Sequence, residues 1–287
     1  MPSEKLLYRK VQDMQVPEAS IALMVFSCAM GVVIPVVLFI WLRRRGADVL
    51  PFFVGCAVMI VFAYVLEGGA HSLVFGSGAR TAIEGSVWSY AVYVGLMAGV
   101  FEESGRFIAF KTLLRGRWGN DGTALMYGAG HGGLEAFMVL TIGMASSLAL
   151  AAAVNSGQAA SIAEGLSAEA AAQVEAAIAL LVESQPVIIL LGVLERIIAV
   201  VLHMSLSVLV WFAAKVPGRL LMFPAAVVAH AVVDALAVLL PAFGMSAGAV
   251  EVVFAAVTAA VMYFAWLAWK RDARPARIFK NVPSSRR

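Results

Sequence analysis

The sequence predicts an all-α fold: a polytopic bundle of about seven transmembrane helices, one domain over residues 1–287, with the N-terminus outside and the C-terminus cytoplasmic. Composition is the first reason. The chain is 62% hydrophobic and 14% charged with a mean hydropathy of +0.89, whereas soluble domains run near ~45–50% apolar and ~25% charged. Apolar windows of spanning length are the second, and they fall at 18–42, 50–76, 87–114, 122–152, 186–214, 219–241 and 246–269. The third is the placement of cations. Arg43 to Arg45, Lys111 to Arg117, Lys215 with Arg219, and the 270–287 tail share one side, against only Lys5, Arg9, Lys10 and Arg80 on the other. The positive-inside rule makes the richer side cytoplasmic.

The elements follow in order. The first apolar run, Ser20 to Leu42, is too long for a signal-peptide core and is read as a retained helix closed by Arg43-Arg44-Arg45-Gly46. The second carries Glu67 and His71 near its outer end and stops at Gly76-Ser77-Gly78. The third contains Phe101-Glu102-Glu103-Ser104-Gly105-Arg106, and the fourth Tyr127-Gly128-Ala129-Gly130-His131-Gly132-Gly133-Leu134-Glu135. Residues 153–185 form the one long external connection, with good helix propensity from Ser167 to Val182. The fifth helix bears Glu195, Arg196, His203 and Ser207. The sixth follows Pro217-Gly218-Arg219 and bears His230 and Asp234; the seventh leads into a basic tail at 270–287. Helices between residues 87 and 241 therefore hold the candidate site.

Every histidine has a polar residue four positions away, on the same helical face: Glu67 with His71, His131 with Glu135, His203 with Ser207, and His230 with Asp234. Arg106 follows Glu102 at the same step, and Arg196 precedes His203 by nearly two turns. An ionisable side chain in hydrocarbon costs at least ~2.5–3.5 kcal/mol, so these faces are expected to point inward around a polar site. Counted along their helices, Glu102, His131, His203 and His230 fall at similar depths, ~12–18 Å from the cytoplasmic side in the case of Glu102. The glycines around His131 suit close helix approach and leave its ring able to face a water-filled cavity. A set of interhelical hydrogen bonds is the bland alternative for any single histidine.

Such a set can hydrolyse a peptide bond without a covalent intermediate. A carboxylate, Glu102 or Glu103, deprotonates a water; Arg106 fixes the other carboxylate; His131 positions the water; His230 with Asp234 serves the oxyanion. Glu135, Arg196, His203 and Ser207 are supporting positions. Spacing alone does not choose between Glu102 and Glu103, because adjacent helical residues point about 100° apart.

In this order, Glu102-Glu103-x-x-Arg106, Gly128-x-Gly130-His131-Gly132-Gly133-x-Glu135, Glu195-Arg196 with His203, and His230-x-x-x-Asp234 resemble the YhfC-type membrane peptidases. These are similar to the PrsW proteases and to the CAAX prenyl endopeptidase superfamily of glutamic-type intramembrane proteases. The resemblance covers about half the chain. It implies Glu102 as the water-activating base supported by Glu103 and Arg106, His131 as the second-motif histidine, and His230 with Asp234 as the oxyanion motif. Two departures, a three-residue rather than four-residue step from the paired glutamates to arginine and Asp in place of Asn at the end, argue against prenylated CAAX substrates.

The expected function is thus an intramembrane endopeptidase of the bacterial inner membrane, acting on a membrane-embedded or membrane-associated protein or peptide and opening toward the cytoplasmic half of the bilayer. No cofactor is required and no nucleic acid is expected. The nearest alternative is a zinc-dependent hydrolase using His131, His203 and His230, although the sequence has no His-Glu-x-x-His. From other classes, an ion- or proton-coupled transporter and a non-catalytic membrane scaffold remain as alternatives. Cys28 and Cys56 form no disulfide or zinc motif and read as small hydrophobes.

Overall fold

The computed structural model describes residues 15–162, 166–183 and 185–273. The first fourteen residues, Glu164 and the tail beyond Ala273 lie outside the described residues, so the expected basic tail is followed only through Lys270 and Arg271.

Among the described residues, and leaving aside the single 3-10 turn at Arg115–Arg117, ten helices run in order: α1 Glu18–Arg44, α2 Leu50–Gly76, α3 Arg80–Glu84, α4 Val87–Lys111, α5 Gly122–Asn155, α6 Ala159–Ile162, α7 Ala168–Glu183, α8 Pro186–Lys215, α9 Met222–Ala242 and α10 Ala247–Asp272. Six of them, α1, α2, α5, α8, α9 and α10, are long and apolar enough to cross a membrane. The seventh expected span, α4, has 25 residues, or about 37 Å, but Glu102, Glu103 and Arg106 dilute its apolar character. It sits inside the bundle, packed against α2, α8 and α9. Apolar side chains such as Val25, Val33, Val37 and Ile40 on α1 face outward, as lipid contact requires.

The turns follow local chemistry. The chain leaves α1 through Gly46 at φ 89° and leaves α8 through Gly218 at φ 81°, a left-handed conformation that costs glycine nothing. Two helices depart from regular α geometry, as π-helical turns occupy Met59–Glu67 of α2 and Phe137–Gly143 of α5. Such turns widen a helix and re-aim the side chains that follow.

Close packing fixes the neighbours of α4 and α5. A Cβ on Gly95 would lie 2.2 Å from the Ala231 carbonyl oxygen, and one on Gly99 2.6 Å from that of Val227, so α4 and α9 touch backbone to backbone. Around His131, Gly130 meets Phe52 of α2, Gly128 meets Met204 of α8, and Gly132 meets the His203 side chain. These glycines are contact surfaces for two other helices. The ring of His131 between them is fully buried.

The connection after α5 is helical as expected. Ala168–Glu183 turns Ile178 and Leu181 onto Val16, Met24, Ala151 and Val154. Asn155 clamps the same corner, accepting from the Val16 N–H at 2.7 Å and donating to its carbonyl at 3.1 Å.

Candidate functional site

Four helices bring their polar residues to one place. Glu102 on α4 is the centre: its Oε2 lies 2.8 Å from Nε2 of His131 on α5, 3.9 Å from Nδ1 of His203 on α8, and 4.0 Å from Nε2 of His230 on α9. Glu103, the next residue, faces elsewhere. Its carboxylate takes both oxygens to Arg106 one turn on, and accepts from Nδ1 of His230 at 2.8 Å. The two glutamates therefore have separate tasks: Glu103 is neutralised by a cation, and Glu102 is surrounded by imidazoles.

The hydrogen bonds also fix the ring states. Arg106 Nη2 can only donate, so Nδ1 of His203 accepts at 3.1 Å, and its protonated Nε2 donates to Glu135 Oε2 at 2.8 Å. Glu135 is in turn paired with Arg196, which also holds Glu195. His230 donates through Nδ1 to Glu103, leaving Nε2 between Glu102 and the Asp234 carboxylate at 3.4 Å. Carboxylate partners behind two of the imidazoles set which nitrogen each presents to the centre.

Several same-helix pairs expected from spacing do not form. Arg106 takes Glu103, not Glu102, because a three-residue step also shares a face. Glu135 bonds His203 and Arg196 across helices, while His131 turns to Glu102. Ser207 donates to the carbonyl of His203 at 2.7 Å and leaves its ring alone. Glu67 and His71 do meet, at 3.3 Å, as do His230 and Asp234. Sequence reasoning missed Tyr93, whose hydroxyl lies 2.9 Å from Nδ1 of His71, and Tyr127, whose ring stacks on His131 with centroids 5.9 Å apart. Tyr127 stands four residues before His131, so that signal was present; nothing in the pattern singled out Tyr93.

The surroundings are unequal. Toward the Lys111 end the cluster rests on fully buried Phe110, Leu114, Tyr127, Leu206, Trp211 and Phe212, with Phe110 edge-on to both Tyr127 and Trp211. Below them Asp121 binds Lys215 and accepts from the Trp211 indole at 2.7 Å. On the same end of the bundle the described residues line a groove between α8, α9 and α10, with Leu209, Ala229, Phe264 and Arg271 on its walls. Polar residues on the other side, Glu67, His71 and Asp234, remain partly exposed.

Whether the residues suit a metal follows from their donors. Glu102, His131 and His203 each bring a ligand atom within 4.8 Å of the others, all three buried, and Nδ1 of His131 has no partner. One carboxylate and two imidazoles match a zinc-type ion in number and kind. This trio differs from the expected His131, His203 and His230, because Glu103 and Asp234 engage both nitrogens of His230. Arg106 at Nδ1 of His203 competes with any ligand bond from that atom.

Fold and site together define a multi-pass membrane protein with a buried glutamate–histidine centre. The family model described as YhfC intramembrane metalloprotease matches residues 30–255, and the chain belongs to that family. It is 32% identical over 253 residues to the membrane protein YhfC of Bacillus subtilis (strain 168), covering 87% of this chain and 96% of the relative. No solved structure matches.

Proposed function

We propose that this chain is an endopeptidase that hydrolyses a peptide bond of a membrane-associated protein, with Glu102 activating the water. The observation that carries this reading is the isolation of Glu102: three imidazoles face its Oε2 within 4.0 Å, while the neighbouring Glu103 is already committed to Arg106. A carboxylate with no arginine or lysine partner in a buried polar site is the group free to take a proton.

In this reading a water bound at Glu102 and His131 attacks the carbonyl carbon, and its proton passes to the Glu102 carboxylate. His131, held between the Tyr127 ring and Glu102, orients that water. With carboxylates at both its nitrogens, His230 is placed to present N–H donors, and its Nε2 is the one nearest the developing oxyanion. Glu102 then returns the proton to the departing amine as the C–N bond breaks. Arg106 and Glu103 hold His203 and His230 in the required ring states. The bilayer is the working medium, and the distribution of cations supports an N-terminus on the outer side.

Bound at Glu102, His131 and His203, a zinc-type ion would polarise the carbonyl and make the water more acidic. The three buried donors and the family description favour this second reading. One experiment separates the two. Purified protein is assayed for metal content and for cleavage of a model membrane substrate before and after strong chelation. Activity that survives with less than stoichiometric metal supports Glu102 as base, whereas loss on chelation and recovery with zinc replaces it with the metal mechanism.

A further inference from the structure

The polar cluster is packed against buried aromatic rings on one side and is partly exposed on the other, and three independent features mark the exposed side. The first is burial. Glu103, Arg106 and His131 have no exposed surface, whereas the Asp234 side chain is 30% exposed, His71 29% and Glu67 12%. Carboxylates facing hydrocarbon at that level are costly, so the surface these groups see has to be water. The second is continuity. Tyr93, His71 and Glu67 form a hydrogen-bonded chain on α2 and α4, and Asp234 reaches the centre through Nε2 of His230, 3.4 Å from its carboxylate and 4.0 Å from that of Glu102. The third is backbone geometry. The π-helical turn of α2 ends on Glu67, and that of α5 begins two residues after Glu135, so two walls of this end alone are widened. At the Lys111 end the corresponding layer is the fully buried aromatic floor.

We propose that water and the substrate polypeptide enter from the His71 end of the bundle, along a vestibule formed by Glu67, His71, Tyr93 and Asp234, rather than from the face carrying the basic loops. The class of substrate follows. Its scissile bond lies in a segment that unwinds on the side of the membrane opposite Arg45, Arg117 and Arg219, and the strand runs past acidic rather than basic side chains. The purpose of the entrance rests on the hydrolytic reading of Glu102; its existence does not.

The test uses the full-length protein in sealed vesicles, with Cys28 and Cys56, the two free cysteines, replaced by alanine. Single cysteines are introduced as His71→Cys, Tyr93→Cys, Glu67→Cys and Asp234→Cys in the vestibule, Phe110→Cys and Leu206→Cys in the floor, and Arg117→Cys as a marker of the basic face. A charged, membrane-impermeant methanethiosulfonate is applied from each side separately. The expected result is labelling of the vestibule positions only from the side opposite that which labels Arg117→Cys, with no labelling of the floor positions from either side. Labelling of Glu67→Cys and Asp234→Cys from the Arg117 side overturns the proposal, as does their failure to label while His71→Cys reacts. Four vestibule positions guard against any one variant failing to fold, which the melting profile of each reports. One-sided labelling in a protein that cleaves nothing would leave the entrance standing and remove the peptidase reading; cleavage combined with labelling from the basic face would do the reverse.

Discussion

The two ends of the bundle solve the problem of buried polarity differently. At the Lys111 end, Asp121 is wrapped by Lys215 and the Trp211 indole, and lies beneath Phe110, Leu114 and Phe212. Charge is neutralised locally and sealed by aromatic rings, which is a stability device. Around Glu102 the same chemistry is spread over four helices, with carboxylates supporting imidazoles and one carboxylate left without an arginine or lysine. One cluster is neutralised within a single ion pair, and the other distributes its charge over rings that can gain or lose a proton.

Substitutions test that difference. Glu102→Gln is expected to lower cleavage by about 10²–10⁴-fold while leaving the thermal melting point unchanged or raised, since no arginine or lysine loses its partner. A variant with normal turnover would place the reactive group elsewhere. Glu103→Gln should instead behave like a floor mutation, leaving buried Arg106 uncompensated at a cost of about 3–5 kcal/mol, read by denaturant titration in detergent. Phe110→Ala is expected to cost a similar ~3–5 kcal/mol through the cavity it leaves, with kcat per folded molecule preserved. If it abolishes turnover at full stability, the floor is part of the site. Gly95→Ala drives a methyl group against the Ala231 carbonyl, and a loss of about 1–3 kcal/mol with a measurable fall in kcat is expected as α4 and α9 separate. Smallest is Asn155→Ala, which removes the clamp on Val16 for about 1 kcal/mol and leaves cleavage untouched.

Helix positions were legible because apolar windows bounded by Arg, Gly and Pro are a strong signal: 50–76 matches α2 end to end, and 186–214 stops one residue short of Lys215. The shared depth of Glu102, His131, His203 and His230 was readable for the same reason, as residue counts convert directly to height. Their partners were not. A four-residue spacing identifies who shares a face, but His131 and Glu135 share a neighbourhood and still bond to other helices, which is decided by crossing geometry. The floor was equally hidden, because Trp211 and Leu206 carry the same apolar signature as residues facing lipid. Nor did composition mark the π-helical turns at Met59–Glu67 and Phe137–Gly143, whose residues are ordinary helix formers.

The main-chain contact of Gly95 and Gly99 with α9 has a mechanical consequence. Because no side chain lies between the two helices there, the spacing of the backbones that carry Glu103 and His230 is set by direct main-chain contact. The loosened hydrogen-bond ladders lie elsewhere, on α2 and α5, so whatever give the cluster has belongs to those two helices and not to the α4–α9 pair.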